Sequence, residues 1–207
     1  MKILFATANP HKVEEVQRLL GAAFEVVTPA QAGYADDIPE TGDTLEQNAR
    51  QKARFIFEKF GQPCFADDTG LEIDALDGAP GVYSARYAGD AKNPAANMQL
   101  VLQNMLGVTR RTARFRCVIV LILDRREYLF EGRVEGEILT TLHGTQGFGY
   151  DPIFRPAGYA CTFAEMPVEE KNRLSHRGKA VAQLAAFLQG VKTAATRRNE
   201  QSPATPR

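Results

Sequence analysis

Adjacent carboxylates at Asp67 and Asp68, with Glu40 upstream, are the first residues whose types suggest chemistry. Carboxylate oxygens are the hard donors that magnesium accepts, and an ionised carboxylate can also take a proton from water. The two aspartates follow the apolar segment PCFA and precede Thr69-Gly70, so a strand ends in a turn there and then has room to continue. Side chains alternate along a strand, which sends the two aspartates to opposite faces. Leu71 and Ile73 then go with Asp67, and Glu72 and Asp74 with Asp68. That parity favours Asp68 as the residue facing a cleft. A solvated turn with ordinary aspartate caps accounts for the same residues.

Phosphate has a candidate holder in TANPHK, residues Thr7, Ala8, Asn9, Pro10, His11 and Lys12. A strand delivers the chain here to a helix N-terminus, whose free N–H groups and positive dipole end favour an anion, and Lys12 adds a full charge. The G-x-x-x-x-G-K-[ST] pattern is absent, and an N-cap alone explains Asn9 and Pro10. In GFGYDPIF, Phe148 or Tyr150 can stack on a base, Gly149 lets backbone approach a ligand, and Pro152 restricts Asp151. A tight turn with its aromatics in the core fits that segment equally well. In EEKNRLSHRG, Ser175 can cap the last helix, which places His176 and Arg177 at the end where the dipole disfavours cations. An anion or an electron-rich base edge there would explain them, and Lys171 offers a further phosphate partner.

The elements that must position these groups are legible from periodicity. KILFATA reads as a buried strand, followed by a helix to Leu20 ended by Gly21, and FEVVTP as a short strand. Thr44 and Gln47 form a capping-box pattern opening a helix to Phe60. PAANMQLVLQNMLG predicts a helix ending at Gly107. ARFRCVIVLILD and EYLFEGRVEGEIL predict an antiparallel hairpin turning at Arg125-Arg126. The last helix is expected from about Ser175 to Gln189, with 190–207 a polar, disordered tail.

Composition limits the partners. Lys+Arg and Asp+Glu are 25 each in 207 residues, so no overall basic field exists to hold a polynucleotide. Cys64, Cys117 and Cys161 are odd in number and widely spaced, as buried thiols in a reducing compartment are, which predicts the cytoplasm. MKILFATANP imitates a signal peptide, but its apolar stretch is too short, and no run reaches the ~18 apolar residues of a membrane span.

Taken in order, T-x-N-x-x-K, ADDTGLEIDAL, APGVYSARYAG, GFGYDPIF and SHRGKA resemble the inosine triphosphate pyrophosphatase family, the non-canonical purine NTP pyrophosphatases, across nearly all of residues 1–189. The resemblance implies a single α/β domain over 1–189, with a central twisted mixed β-sheet flanked by helices, two lobes around a nucleotide cleft, and a homodimer. It implies magnesium-dependent hydrolysis of ITP, dITP and XTP to the monophosphate and pyrophosphate, which removes deaminated purines from the nucleotide pool. Carried over by position, Thr7 through Lys12 hold the triphosphate and Glu40 and Asp68 the magnesium. Asp68 is also the proton acceptor, and Thr69 lies beside the phosphates. Phe148, Gly149, Tyr150 and Asp151 form the base platform, Lys171 is a further substrate contact, and His176 with Arg177 read the base. Ala8 departs from the glycine that many relatives carry, narrowing backbone approach but leaving Asn9 and Lys12 in place. A 6-keto purine offers an acceptor at O6, and Arg177 can only donate, so Arg177 or His176 is expected at O6.

Overall fold

The computed structural model describes residues 1–200. β1 (Lys2–Phe5) leads into α1 (Pro10–Leu20) through an Asn9 cap, with Pro10 in the first turn and Gly21 closing the end at φ +66°. β2 (Glu25–Val27) then returns parallel to β1. α2 (Leu45–Phe60) starts at Thr44, whose hydroxyl accepts from the Gln47 amide, and stops at a left-handed Gly61. β3 (Cys64–Ile73), α3 (Pro94–Asn104), β4 (Thr112–Leu123), β5 (Arg126–Ile138), β6 (Phe154–Pro156), α4 (Val168–Leu174) and α5 (His176–Glu200) complete the chain.

One mixed six-stranded sheet carries everything, in the order β2-β1-β3-β4-β5-β6. β1 lies parallel to β2 and β3, and every pairing from β3 onward is antiparallel. On one face Phe5, Phe65, Cys117, Ile119 and Leu121 pack against Val16 and Leu20 of α1 and Val181, Leu184 and Leu188 of α5. Each such aliphatic side chain contributes roughly 1.5–3 kcal/mol by leaving water. On the other face Cys64, Ala66, Val118 and Val120 meet Leu45, Ala49, Ala53 and Ile56 of α2. A further cluster builds the far end around Leu71, Ile73, Phe115, Phe154 and Phe163 with Met98, Val101 and Met105.

Several expectations shift. Thr69-Gly70 makes no turn: β3 runs unbroken through both, paired to β4 from Cys64↔Ile122 to Ile73↔Ala113. Gly70 is needed for space, since a Cβ there would stand 2.6 Å from the Gly81 carbonyl oxygen. The hairpin turn is Asp124-Arg125, because Leu123 pairs with Arg126 and both turn residues take positive φ (49° and 61°), the conformation that matches strand twist. α3 stops at Asn104 and Gly107 lies in the turn beyond it. α5 continues past Gln189 to Glu200, anchored on the way by Val191 in the core and a Lys192 bond to the Ala23 carbonyl. Ala, Lys and Arg favour helix even without an apolar stripe, which the composition of the segment had concealed. The rest of the expected tail, 201–207, lies outside the described residues.

Candidate active site

The even-numbered face of β3 presents Asp68 to α2. Asn48 and Lys52, one turn apart on the buried side of α2, both reach it: Asn48 Nδ2 donates at 3.3 Å to one carboxylate oxygen and Lys52 Nζ at 3.1 Å to the other. Lys52 also donates to Glu40, so a single ammonium joins the two carboxylates expected to hold a metal. Arg86 Nη1 stands 3.9 Å from the second Glu40 oxygen. Burial lifts the Asp68 carboxyl above its ordinary value, with Lys52 and Lys12 pulling against it. Burial acts upward on Glu40 too, but there Lys52 wins and holds it low.

The odd-numbered face presents Asp67, whose side chain is 1% exposed. It receives Lys12 Nζ at 2.9 Å, Arg177 Nε at 3.2 Å and the Thr69 hydroxyl at 3.1 Å. Arg177 continues the chain of contacts, donating to Glu15 at 2.6 Å and to Thr69 Oγ1 at 3.2 Å. Burial pushes Asp67 upward, but Lys12, Arg177 and Lys52 outweigh it and keep the carboxyl well below the usual range. Burial likewise opposes the Arg177 charge, which Glu15 and Asp67 more than restore. At the start of α1, Asn9 Oδ1 accepts from His11 N (3.0 Å) and Lys12 N (3.4 Å), and Thr7 Oγ1 accepts from Asn9 N (3.1 Å). Ala8 and His11 are exposed beside it.

The glycine-aromatic loop comes up to the same side. Asp151 is buried and accepts from the Phe148 amide at 2.7 Å and from Lys171 Nζ at 2.6 Å. The close approach made possible by glycine is internal: a Cβ on Gly147, which also takes φ +77°, would lie 2.1 Å from Asp151 Oδ2. Gly149 takes φ +66° to turn the chain. Phe148 is half-buried, with Lys171 Nζ 5.3 Å and Arg177 Cζ 5.5 Å from its ring centre and the His11 ring stacked on it at 5.5 Å. A crevice of about 210 Å³ opens here between α1 and the 146–148 loop, with Phe163, Lys171 and Asn172 in its walls.

Lys12, Thr69, Phe148, Asp151, Lys171, Arg177 and His11 are therefore gathered on one side, and Glu40 with Asp68 on the other, joined where Asp67 and Asp68 follow one another in β3. Two expected platform and reader groups point elsewhere. Tyr150 is buried in the far cluster and its hydroxyl donates to the Ser84 carbonyl at 2.8 Å. His176 is buried, with its ring stacked on Phe115 at 4.6 Å and Nδ1 unpartnered among the described residues. Burial, then Arg177 and Lys171, depress His176 well below 6.5, so it is uncharged at neutral pH and not half of a cationic pair. The anions that make Arg177 tolerable at a helix start are the carboxylates of Glu15 and Asp67, within the chain.

Sequence reasoning missed Glu15, Asn48, Lys52 and the organising role of Asp67. A usable signal existed for the helical residues: Asn48 and Lys52 interrupt the apolar stripe Leu45, Ala49, Ala53, Ile56, and Glu15 precedes Val16 on a buried face. Polar groups at stripe positions need partners, and here Asn48 and Lys52 find theirs in a carboxylate midway along the neighbouring strand β3.

The Ham1 family model matches residues 3–187. A dITP/XTP pyrophosphatase of Porphyromonas gingivalis is 52% identical, the match covering 90% of this chain and 97% of that one. One from Flavobacterium johnsoniae is 48% identical over 93% of this chain and 100% of its own length. Among solved structures, the Ham1 protein of Staphylococcus aureus superposes with a TM-score of 0.84 at 38% identity, covering 92% of this chain and 99% of that one. With the mixed sheet and the clustered charges of β3 in place, the chain belongs to the Ham1 family.

Proposed function

We propose that this protein hydrolyses non-canonical purine nucleoside triphosphates, dITP, XTP and ITP, to the monophosphate and pyrophosphate, using magnesium. The observation that carries the proposal is the pairing of Glu40 and Asp68 on one cation, one residue along β3 from the Asp67 that receives Lys12, and the activity for which the relatives are named points the same way. The donor set suits magnesium. Two hard carboxylates already share one positive charge, and magnesium takes one or two carboxylates while water and phosphate oxygens complete its shell. Among the described residues no group of three His, Cys, Asp or Glu side chains gathers to cage an ion unaided. Bound by Glu40 and Asp68, magnesium would neutralise phosphate oxygens.

Asp68 orients the attacking water and accepts its proton, Lys12 and the first turn of α1 hold the triphosphate, and Thr69 lies beside it. Phe148 stacks on the base while Arg177, a donor only, faces O6, so adenine leaves a buried donor mispaired. We read residues 1–189 as one two-lobed unit acting as a cytoplasmic homodimer. Among the described residues no helix is long and apolar enough to cross a membrane. A panel of nucleoside triphosphates with and without magnesium tests the whole proposal: pyrophosphate from ITP, dITP and XTP, absent without the metal, is expected. Orthophosphate as first product, or equal use of ATP, would sink it.

A further inference from the structure

Three groups surround the Phe148 ring, and two of them are tethered. The Lys171 ammonium, 5.3 Å from the ring centre, is tied to buried Asp151 at 2.6 Å. The Arg177 guanidinium, 5.5 Å away, is tied to Asp67 and Glu15 at 3.2 and 2.6 Å. Drawing either cation away would leave a buried carboxylate uncompensated, which is strongly unfavourable. The third neighbour is His11, whose ring centre lies 5.5 Å from that of Phe148 with the planes within 14° of parallel. Its side chain is exposed and makes no hydrogen bond or ion pair among the described residues. The Asn9 cap and Pro10 fix its backbone, so the imidazole moves by side-chain rotation alone.

The crevice beside this pair holds about 210 Å³, below the roughly 300–1,000 Å³ of a site that encloses a drug-sized ligand. It has room for a planar base and leaves the rest of a nucleotide outside. A base lying on Phe148 has a second face, and His11 is the ring already aligned to cover it.

We propose that His11 is the second wall of the base site: the purine enters between the imidazole and Phe148, and His11 stacks on the face that Phe148 leaves bare. This rests on the placement of the base against Phe148 given above. It separates two jobs in one turn, since the backbone and Lys12 face phosphate while the His11 side chain faces the base. A wall of this kind acts on binding, so the expected change falls on KM more than on kcat.

The test compares wild type, His11→Ala and His11→Phe for KM and kcat with ITP, together with inhibition by inorganic tripolyphosphate. His11→Ala is expected to raise KM roughly two- to tenfold, the range one aromatic stack supplies. His11→Phe, which keeps a ring, should restore it, and tripolyphosphate should inhibit all three equally. Four results would overturn the inference: a KM unchanged in His11→Ala, a KM that falls because the ring was only a plug, a phenylalanine no better than alanine, or tripolyphosphate inhibition that weakens in step with KM. A wild-type protein that turned over no 6-oxopurine triphosphate would bring down the reading of the site itself, and the inference with it.

Discussion

Asp67 and Asp68 are neighbours in sequence and opposites in surroundings. Asp67 is sealed at 1% exposure under Lys12, Arg177 and Thr69, and its charge is the fixed point on which buried Arg177 and partly buried Lys12 rest. Asp68 keeps 12% exposure and shares the Lys52 ammonium with Glu40, whose side chain is 33% exposed. One aspartate is enclosed by the cations it pairs with; the other shares its cation with a partly exposed carboxylate. Strand alternation alone creates this division, because a single β-strand displays both faces at the same position along the sheet. Under the proposed function, two adjacent acids on one strand would supply a rigid frame and, beside it, a metal site.

The largest effect should appear at Asp68, the proposed metal-holding acid and proton acceptor. Asp68→Asn is expected to fold normally and lose about 10²–10⁴-fold in kcat, the range of a positioned general base. Turnover near that of wild type, with an unchanged circular dichroism spectrum, would remove Asp68 from the chemistry. Asp67→Asn should break the frame. It leaves Lys12 and Arg177 short of a counter-charge in a dry environment, and removal of one partner from a buried pair costs about 3–5 kcal/mol. Urea unfolding of the two variants side by side checks this. Equal stability losses would erase the distinction drawn between the aspartates.

Much of this was legible in the sequence, for identifiable reasons. Caps at Asn9 and Thr44 are local hydrogen-bond chemistry, and the structure forms both as expected, with the second helix ending at Phe60. Parity correctly separated Asp67 from Asp68. It did not show that the opposite face would also gather charges, since Lys12 and Arg177 arrive there from distant parts of the chain. Gly70 illustrates the other limit: a glycine inside a strand pattern signals a turn or a close approach, and only the position of the Gly81 backbone decides between them. The charge of His176 was likewise beyond reach, because burial against Phe115 is a tertiary fact.

A smaller effect should separate a buried neutral group from the charges around it. His176 sits among Arg177, Lys171, Asp67 and Lys12, and its folded-state value lies well below 6.5. The unfolded chain therefore binds a proton that the folded one does not once pH drops below about 6.5, and stability falls with pH in that range. The slope approaches about 1.4 kcal/mol per pH unit. The difference in unfolding free energy between wild type and His176→Phe, followed from pH 8 down to about 5, cancels the carboxylates common to both. A difference flat with pH would mean that His176 takes up its proton in the folded protein as readily as in the unfolded chain.

The smallest effect tests whether burial, and not ion pairing as such, makes the Asp67 frame. Arg116 pairs with Glu72 and Glu131 at 2.9 Å, distances as short as those to Asp67, but Arg116 is 31% and Glu131 40% exposed. Water and salt screen such a pair, and its worth is about 0.2–1 kcal/mol. Glu131→Gln should therefore lower stability by less than about 1 kcal/mol, and about 1 M salt should abolish most of the difference. The loss from Asp67→Asn should persist at that salt, because solvent ions do not reach a sealed carboxylate. If salt removed both losses alike, the Asp67 frame would reduce to ordinary surface electrostatics.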